Sequence, residues 1–266
     1  MNIRLLFIVF IFSCGRVFSQ DTVVVCIDDS THNFFLNGSN GSNYSWEIEP
    51  SNNIASIVSG QGTDEIIVKF NSIGLIKLIV DEIDINGCSG TDSIIIDIRE
   101  NPIVIISSNS YQICEGDSLE ITLDSLFSEV LWNTGSTEES IYATDEGNYY
   151  AQVTDKFGCK SNSNTIYIKE YENPVADFIY YGNCINNPTI FQNNSSSTDS
   201  IQLLEWVVQS NKFYGQSFEY IFKNSQQYDI KLLITTNKGC TDSLIKLISI
   251  DLNPIADYSF YTSNPI

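Results

Sequence analysis

Apolar residues in this chain come in short runs, often alternating with polar ones, as in Glu65-Ile66-Ile67-Val68-Lys69-Phe70. Alternation with a period of two lines one face of an extended segment with apolar side chains, which is the pattern of a half-buried strand. Similar runs cover residues 74–80, 118–123, 148–153 and 228–235, and Gly, Asn, Asp and Ser bound them. Those bounding residues supply turn geometry, through positive φ or through side chains that bond their own backbone. No window of a dozen residues sustains a helical period. The pattern predicts an all-β chain of short strands.

The runs recur in blocks. Asn-Pro followed by apolar residues stands at Asn101-Pro102-Ile103-Val104, at Asn173-Pro174-Val175-Ala176-Asp177-Phe178 and at Asn253-Pro254-Ile255-Ala256-Asp257-Tyr258. Gly-Cys stands at Gly87-Cys88, Gly158-Cys159 and Gly239-Cys240, each before a final apolar run (94–98, 165–168, 244–250) that leads into the next Asn-Pro. Each block also has one Trp: Trp46, Trp132 and Trp206. Self-similarity at such a period marks tandem modules. A central Trp among short strands predicts immunoglobulin-like β-sandwiches. The blocks span 20–100, 101–172 and 173–252, and 253–266 opens a further repeat that is cut short, as in a truncated or fragmentary gene product. The three Trp are expected in the cores. Tyr149 and Tyr228 occupy one position, where the first block has Ile76, so a packing role is expected there too.

Composition supports strands. Of 266 residues, 38 are Ile and only five Ala, and β-branched side chains lose rotamer freedom in a helix. The net charge is −20, a field that repels phosphates and excludes nucleic acid as a partner. Residues 1–19 read as a signal peptide, with Arg4, an apolar run from Leu5 to Phe12, and Val17-Phe18-Ser19 before the cut. A lipobox reading of Ile11-Phe12-Ser13-Cys14-Gly15 would instead lipidate Cys14. The run is too short to cross a membrane, so no transmembrane segment is expected in the mature chain, which is placed outside the cell.

Removing the leader leaves six cysteines, Cys26, Cys88, Cys114, Cys159, Cys184 and Cys240. An even count in an exported chain reads as a disulfide set. One Cys before each Trp and one after it suggest a staple within each repeat: 26–88, 114–159 and 184–240. The alternative is that the cysteines recur because the blocks duplicated, with no bond formed.

The third block resembles a PKD domain, an Ig-like sandwich of bacterial surface proteins. The likeness rests on Pro174-Val175-Ala176-Asp177-Phe178, Phe191-Gln192-Asn193-Asn194-Ser195, Trp206 and Gly239-Cys240-Thr241-Asp242. The family's acidic turn after the Trp is here Gln209-Ser210. The first block (Trp46-Glu47-Ile48-Glu49-Pro50, Gly60-Gln61-Gly62-Thr63) resembles a PKD-like variant. The second (Cys114-Glu115-Gly116-Asp117, Trp132-Asn133-Thr134-Gly135) resembles an Ig-like relative. Tandem arrays of this style resemble exported proteins of Bacteroidota that are associated with gliding motility. The resemblance implies sorting by the type IX secretion system through a C-terminal domain, and surface glycans or proteins as partners.

Candidate chemistry is sparse. His32 has no spaced partner and reads as a surface residue, and no nucleophile–base pair is evident. The chain reads as a non-enzyme with no cofactor. The best Ca²⁺ candidate is the run Asp81-Glu82-Ile83-Asp84-Ile85-Asn86-Gly87, whose Asp/Asn spacing suits oxygen ligation, with a solvated hairpin turn as the plainer reading; Asp28-Asp29 is weaker. Tyr180, Tyr181, Phe213 and Tyr214 are the candidates for a carbohydrate platform. The leading function is a non-catalytic spacer or adhesion array. The other reading is the accessory portion, carbohydrate-binding in one version, of a secreted hydrolase.

Overall fold

A computed structural model describes residues 22–27, 31–38, 40–51 and 53–259. The expected leader, Cys14 and Asp28-Asp29 lie outside the described residues. Every regular element among the described residues is a β-strand, and the chain is all-β, in Ig-like sandwiches. The alternation seen in the sequence sorts side chains as expected: in Glu65–Phe70 the residues Ile66, Val68 and Phe70 are buried while Glu65 and Lys69 face solvent.

The chain divides into two compact units. Among the described residues, one comprises those up to Ser108 with Glu120–Ile141 and Asn148–Ile166, the other Asn109–Leu119, Tyr142–Gly147 and those from Tyr167 onward. Residues of the middle sequence repeat contribute to both.

The first unit holds a four-stranded sheet in the order Thr22–Cys26, Ser89–Arg99, Gly74–Ile83, Asn43–Glu49. A three-stranded sheet, in the order Thr31–Phe35, Glu65–Phe70, Ala55–Ser59, supplies the other layer. Phe34, Ile66, Val68 and Phe70 of the second sheet share one core with Trp46, Ile76, Leu78 and Ile96 of the first. Pairing is antiparallel except at the first strand, which runs parallel to Ser89–Arg99 and ends with Cys26 beside Arg99. His32 is not the free surface residue expected. It is half-buried, with its ring 5.0 Å from that of Phe70. The same unit carries the three-stranded antiparallel sheet Glu129–Trp132, Ala151–Thr154, Lys160–Asn162.

The second unit has a sheet of Phe178–Tyr181, Pro188–Asn193 and Ser217–Ile221, and another in the order Asn211–Tyr214, Ile201–Val208, Gln227–Thr236, Thr241–Ser249. Its core is aromatic: Phe178, Phe191, Trp206, Phe222 and Tyr228 pack with Ile230, Leu232 and Ile234. Phe178 and Trp206 meet edge to face with centroids 5.3 Å apart, a geometry that pairs a positive ring edge with a negative face. Here too a short strand, Gln112–Cys114, runs parallel to Ile166–Tyr171 and ends with Cys114 beside Tyr171.

All three Trp are buried, and each indole N–H has a backbone acceptor. Trp46 Nε1 donates to Thr63 O at 2.8 Å, Trp132 Nε1 to Glu138 O at 2.8 Å and Trp206 Nε1 to Gly215 O at 2.9 Å. A buried indole needs such a partner, because an unsatisfied donor costs about 1–3 kcal/mol. Ile76, Tyr149 and Tyr228 are also buried. At Tyr228 the side chain does more than pack, since its hydroxyl donates to Asn224 O at 3.1 Å.

Gln209 and Ser210 join the strands Ile201–Val208 and Asn211–Tyr214 with φ of 49° and 80°. Two central residues at positive φ match a type I′ hairpin, whose preferred sequence is Asn-Gly. A non-Gly residue there pays a steric cost of about 1 kcal/mol. Ser210→Gly is therefore expected to raise the urea midpoint of the chain at unchanged slope. Trp206→Ala, which empties the centre of the aromatic core, should cost about 3–5 kcal/mol in the same titration.

Candidate functional site

The residues that recur with conserved geometry lie around the cysteines. The Gly-Cys turns share one construction. In Asp84–Cys88, Asp84 Oδ1 accepts from the N–H groups of Asn86 and Cys88, each at 2.8 Å, and Gly87 N–H donates to Asp84 O at 3.0 Å. In Asp155–Cys159, Asp155 Oδ1 accepts from Phe157 N at 2.8 Å and Cys159 N at 2.9 Å. In Thr236–Cys240 the hydroxyl of Thr236 takes the place of the carboxylate, accepting from Lys238 N at 3.3 Å and Cys240 N at 3.1 Å. The glycine before each Cys has φ of 81°, 90° and 90°, the left-handed region that only glycine enters without strain.

This turn accounts for the candidate Ca²⁺ loop. Asp84 turns both carboxylate oxygens onto Asn86 and Cys88 donors, and the Cys88 N–H above all holds its pKa below the usual carboxylate value. Among the described residues, no three His, Cys, Asp or Glu side chains converge as a metal-binding group.

The disulfide pairing differs from the expected staples 26–88, 114–159 and 184–240. The bonds are Cys26–Cys159 and Cys114–Cys240, with Cα–Cα distances of 5.4 and 5.5 Å, and Cys88 and Cys184 are free thiols. The physical reason is strand length. Cys26 stands beside Arg99, at the far end of Ser89–Arg99, whereas Cys88 immediately precedes Ser89. At about 3.3 Å per residue, the 11 residues of that strand hold the two cysteines roughly 35 Å apart. A disulfide spans no more than about 7 Å between Cα atoms. The third repeat has the same problem: Cys184 pairs with Asp251 beyond the end of Thr241–Ser249, and Cys240 precedes its start.

The side chains around each bridge are complementary. In the first unit the Arg99 guanidinium lies 3.6 Å above the centroid of Phe157, in the Asp155–Cys159 turn. In the second, Lys238 of the Thr236–Cys240 turn lies 5.1 Å from the Tyr171 ring centroid. Cation and ring have changed places between strand end and turn, keeping a cation–π contact across each bridge, and Lys156 Nζ adds a second at Phe157, 4.9 Å from its centroid. Asn of the Asn-Pro pair closes each arrangement. Asn101 Nδ2 donates to Ile27 O at 3.2 Å and Asn173 Nδ2 to Glu115 O at 2.8 Å, in both cases to the residue after the bridged Cys.

The aromatic candidates separate. Tyr180 and Tyr181 stand exposed on Phe178–Tyr181, while Phe213 and Tyr214 belong to Asn211–Tyr214 of the other sheet. Phe213 turns inward and stacks on Phe218 with centroids 4.6 Å apart. The four do not form one platform.

The motif that opens the third repeat is pinned by polar contacts. Asp177 Oδ1 accepts from Lys246 Nζ at 2.7 Å, and Oδ2 from Asn194 Nδ2 at 2.8 Å. Ser195 Oγ donates to Asp177 O at 3.1 Å. Lys246 chiefly, then Asn194, holds the Asp177 carboxyl down at about 2. Lys169, then Tyr167, does the same for Glu146, also to about 2.

No protein-family model matches the chain, and no curated protein matches it. Solved structures do. The PKD1 domain of Vibrio anguillarum Epp is similar at 19% identity, covering 32% of this chain and 100% of that one with a TM-score of 0.30. The fibronectin(III)-like modules of Clostridium thermocellum CbhA are 12% identical, over 59% of this chain and 100% of that one, with a TM-score of 0.35. The ectodomain of mouse nectin-like molecule 4 is 8% identical, over 90% of this chain and 100% of that one, with a TM-score of 0.33.

The depressed carboxylates set a pH dependence. A carboxylate whose folded pKa lies below its unfolded value of about 4 contributes stability that is complete above the unfolded pKa and is lost as pH falls through the folded one. The melting temperature should therefore drop between roughly pH 5 and pH 2. Asp177→Asn should melt lower than the parent at pH 7 and converge with it near pH 2, measured by far-ultraviolet circular dichroism at low salt.

Proposed function

We propose that this chain is a non-catalytic extracellular array, a spacer or adhesion module of a secreted or surface-displayed bacterial protein. The observation that carries the proposal is that both disulfides join one sequence repeat to the next, Cys26 to Cys159 and Cys114 to Cys240. A bridge inside a module stabilises that module alone; a bridge between modules also limits how they swing. Covalent limits of this kind suit a protein whose task is to hold something at a distance. They also suit an oxidising compartment, where such bonds persist. Among the described residues no helix is long and apolar enough to cross a membrane.

On this reading the repeats are the modules 20–100, 101–172 and 173–252, and the Asn-Pro pairs are their joints. Surface glycans or proteins are the partners, and the gliding-motility-associated, type IX-secreted proteins of Bacteroidota are the class the sequence motifs favour. The burial of Trp46, Trp132 and Trp206 supports a core role for the aromatic residues rather than a ligand platform.

The test is a distance distribution between spin labels attached by non-cysteine chemistry at the exposed residues Val58 and Leu131, in the first and second sequence repeats. One narrow peak is expected from the oxidised chain, and a broad distribution after reduction. An equally broad distribution before reduction would overturn the proposal. The paired variant Cys26→Ser with Cys159→Ser should also lose about 2–5 kcal/mol in urea unfolding, the usual cost of removing a native disulfide.

A further inference from the structure

We infer that the outer edge of the strand Asn43–Glu49 is a docking site for an extended basic segment of a partner protein, which adds to the sheet in place of the Gln61 side chain. The inference rests on the array proposed above and gives it one contact surface with a defined chemistry.

Asn43–Glu49 is the last strand of its sheet, paired on one side with Gly74–Ile83. On the other side the backbone of Trp46 meets a side chain. Trp46 N–H donates to Gln61 Oε1 at 2.9 Å, and Gln61 Nε2 donates to Trp46 O at 2.7 Å. A carboxamide offers an N–H and a C=O as a peptide group does, so Gln61 stands there as a strand of one residue. The other repeats fill the same edge with backbone. Trp132 N–H donates to Ser136 O, and Trp132 O accepts from Gly135 N–H, both at 2.9 Å. Opposite Trp206 lies Phe213 of the strand Asn211–Tyr214.

Gln61 is exposed, and its loop is fastened by other bonds. Trp46 Nε1 donates to Thr63 O at 2.8 Å and Thr63 N to Gly60 O at 3.0 Å. The side chain is therefore free to swing away while the loop stays in place. Outward backbone groups on a strand edge are a template for a further strand, whose main-chain hydrogen bonds supply affinity.

The strand seated at the Trp206 edge defines the occupant. Its Phe213 turns inward onto Phe218. Its Lys212 stands opposite Val207, one residue after the Trp, and pairs with Glu205 at 2.8 Å. In the first repeat the residue after the Trp is Glu47. Glu47 and Glu49 are exposed and line an open groove of about 720 Å³ with Ile48, Leu75 and Ile95. Lys77, opposite Glu49, is the one base lining it, so the groove is net acidic. A segment with Lys or Arg at alternate positions matches this outer face, and an aromatic residue between them matches the inner one. A second copy of Asn43–Glu49 would instead bring further glutamates to the groove, and like charges across a strand pair repel.

The test uses the intact oxidised chain and a fluorescein-labelled peptide, Lys-Asn-Lys-Phe-Tyr-Gly, followed by fluorescence anisotropy. In the register of Asn211–Tyr214 its lysines fall opposite Glu49 and Glu47. Saturable binding is expected, weakened by salt and lost when both lysines of the peptide are replaced by Glu. Gln61→Ala should tighten binding about tenfold, because two hydrogen bonds of ordinary net strength no longer have to be displaced. Gln61→Asn, one methylene shorter, should act in the same direction. Glu47→Lys combined with Glu49→Lys should weaken binding about tenfold or more. Hydrogen exchange at the Trp46 amide should be fast in free Gln61→Ala and slow in its peptide complex. Absence of saturable binding to both the parent and Gln61→Ala, binding indifferent to Gln61 or to the two glutamates, or self-association of Gln61→Ala in place of peptide binding would overturn the inference. Those results would leave the array proposal standing, because its own test reads the spacing between repeats.

Discussion

The arrangement of this protein depends on a parallel pairing between the short first strand of a repeat and the end of its last strand. Thr22–Cys26 lies along Ser89–Arg99, and Gln112–Cys114 along Ile166–Tyr171. In the first repeat that pairing carries the leading cysteine to the opposite end of the sheet from the Gly-Cys turn that starts the last strand. An extended strand is stiff and its length is set by its residue count, so a bridge within the repeat is out of reach. The same pairing leaves the cysteine at the joint where the next repeat begins. A local rule about strand register thus decides that covalent bonds run between repeats.

The turns that supply the other cysteine show how one geometry tolerates different chemistry. Asp84 and Asp155 cap the turn with a carboxylate, and Thr236 does so with a hydroxyl. All three groups present an oxygen to two backbone N–H groups, which is all the turn requires. The cation–π contact beside each bridge is equally indifferent to which partner carries the charge. What persists is a glycine at positive φ and a cysteine after it.

Much of the fold was legible in the sequence. Period-two alternation located strands such as Glu65–Phe70, and one buried Trp per block marked the cores because an indole must both bury area and satisfy its N–H. The disulfide pairing was not legible. It turns on the register of Thr22–Cys26 and Gln112–Cys114, strands of five and three residues, and pattern alone does not say which neighbour so short a strand joins. The signal was present in the final runs: a strand as long as Ser89–Arg99 separates whatever stands at its two ends. The aromatic candidates failed for a related reason. Tyr180 and Phe213 resemble one another by type, but sheet membership and side-chain direction decide exposure, and Phe213 is committed to Phe218.

The two covalent loops overlap, because Cys114 lies within the segment closed by Cys26–Cys159 and Cys159 within that closed by Cys114–Cys240. Tension applied at the ends of the chain therefore has a short cut. It crosses the first bridge to Cys159, runs backward along the polypeptide to Cys114, and crosses the second bridge to Cys240. That route uses roughly a fifth of the backbone between Cys26 and Cys240, and a taut chain reaches only about 3.3–3.6 Å per residue. Even with its sandwiches pulled open, the oxidised protein would act as a short tether, carrying part of its load against the direction in which it was synthesised.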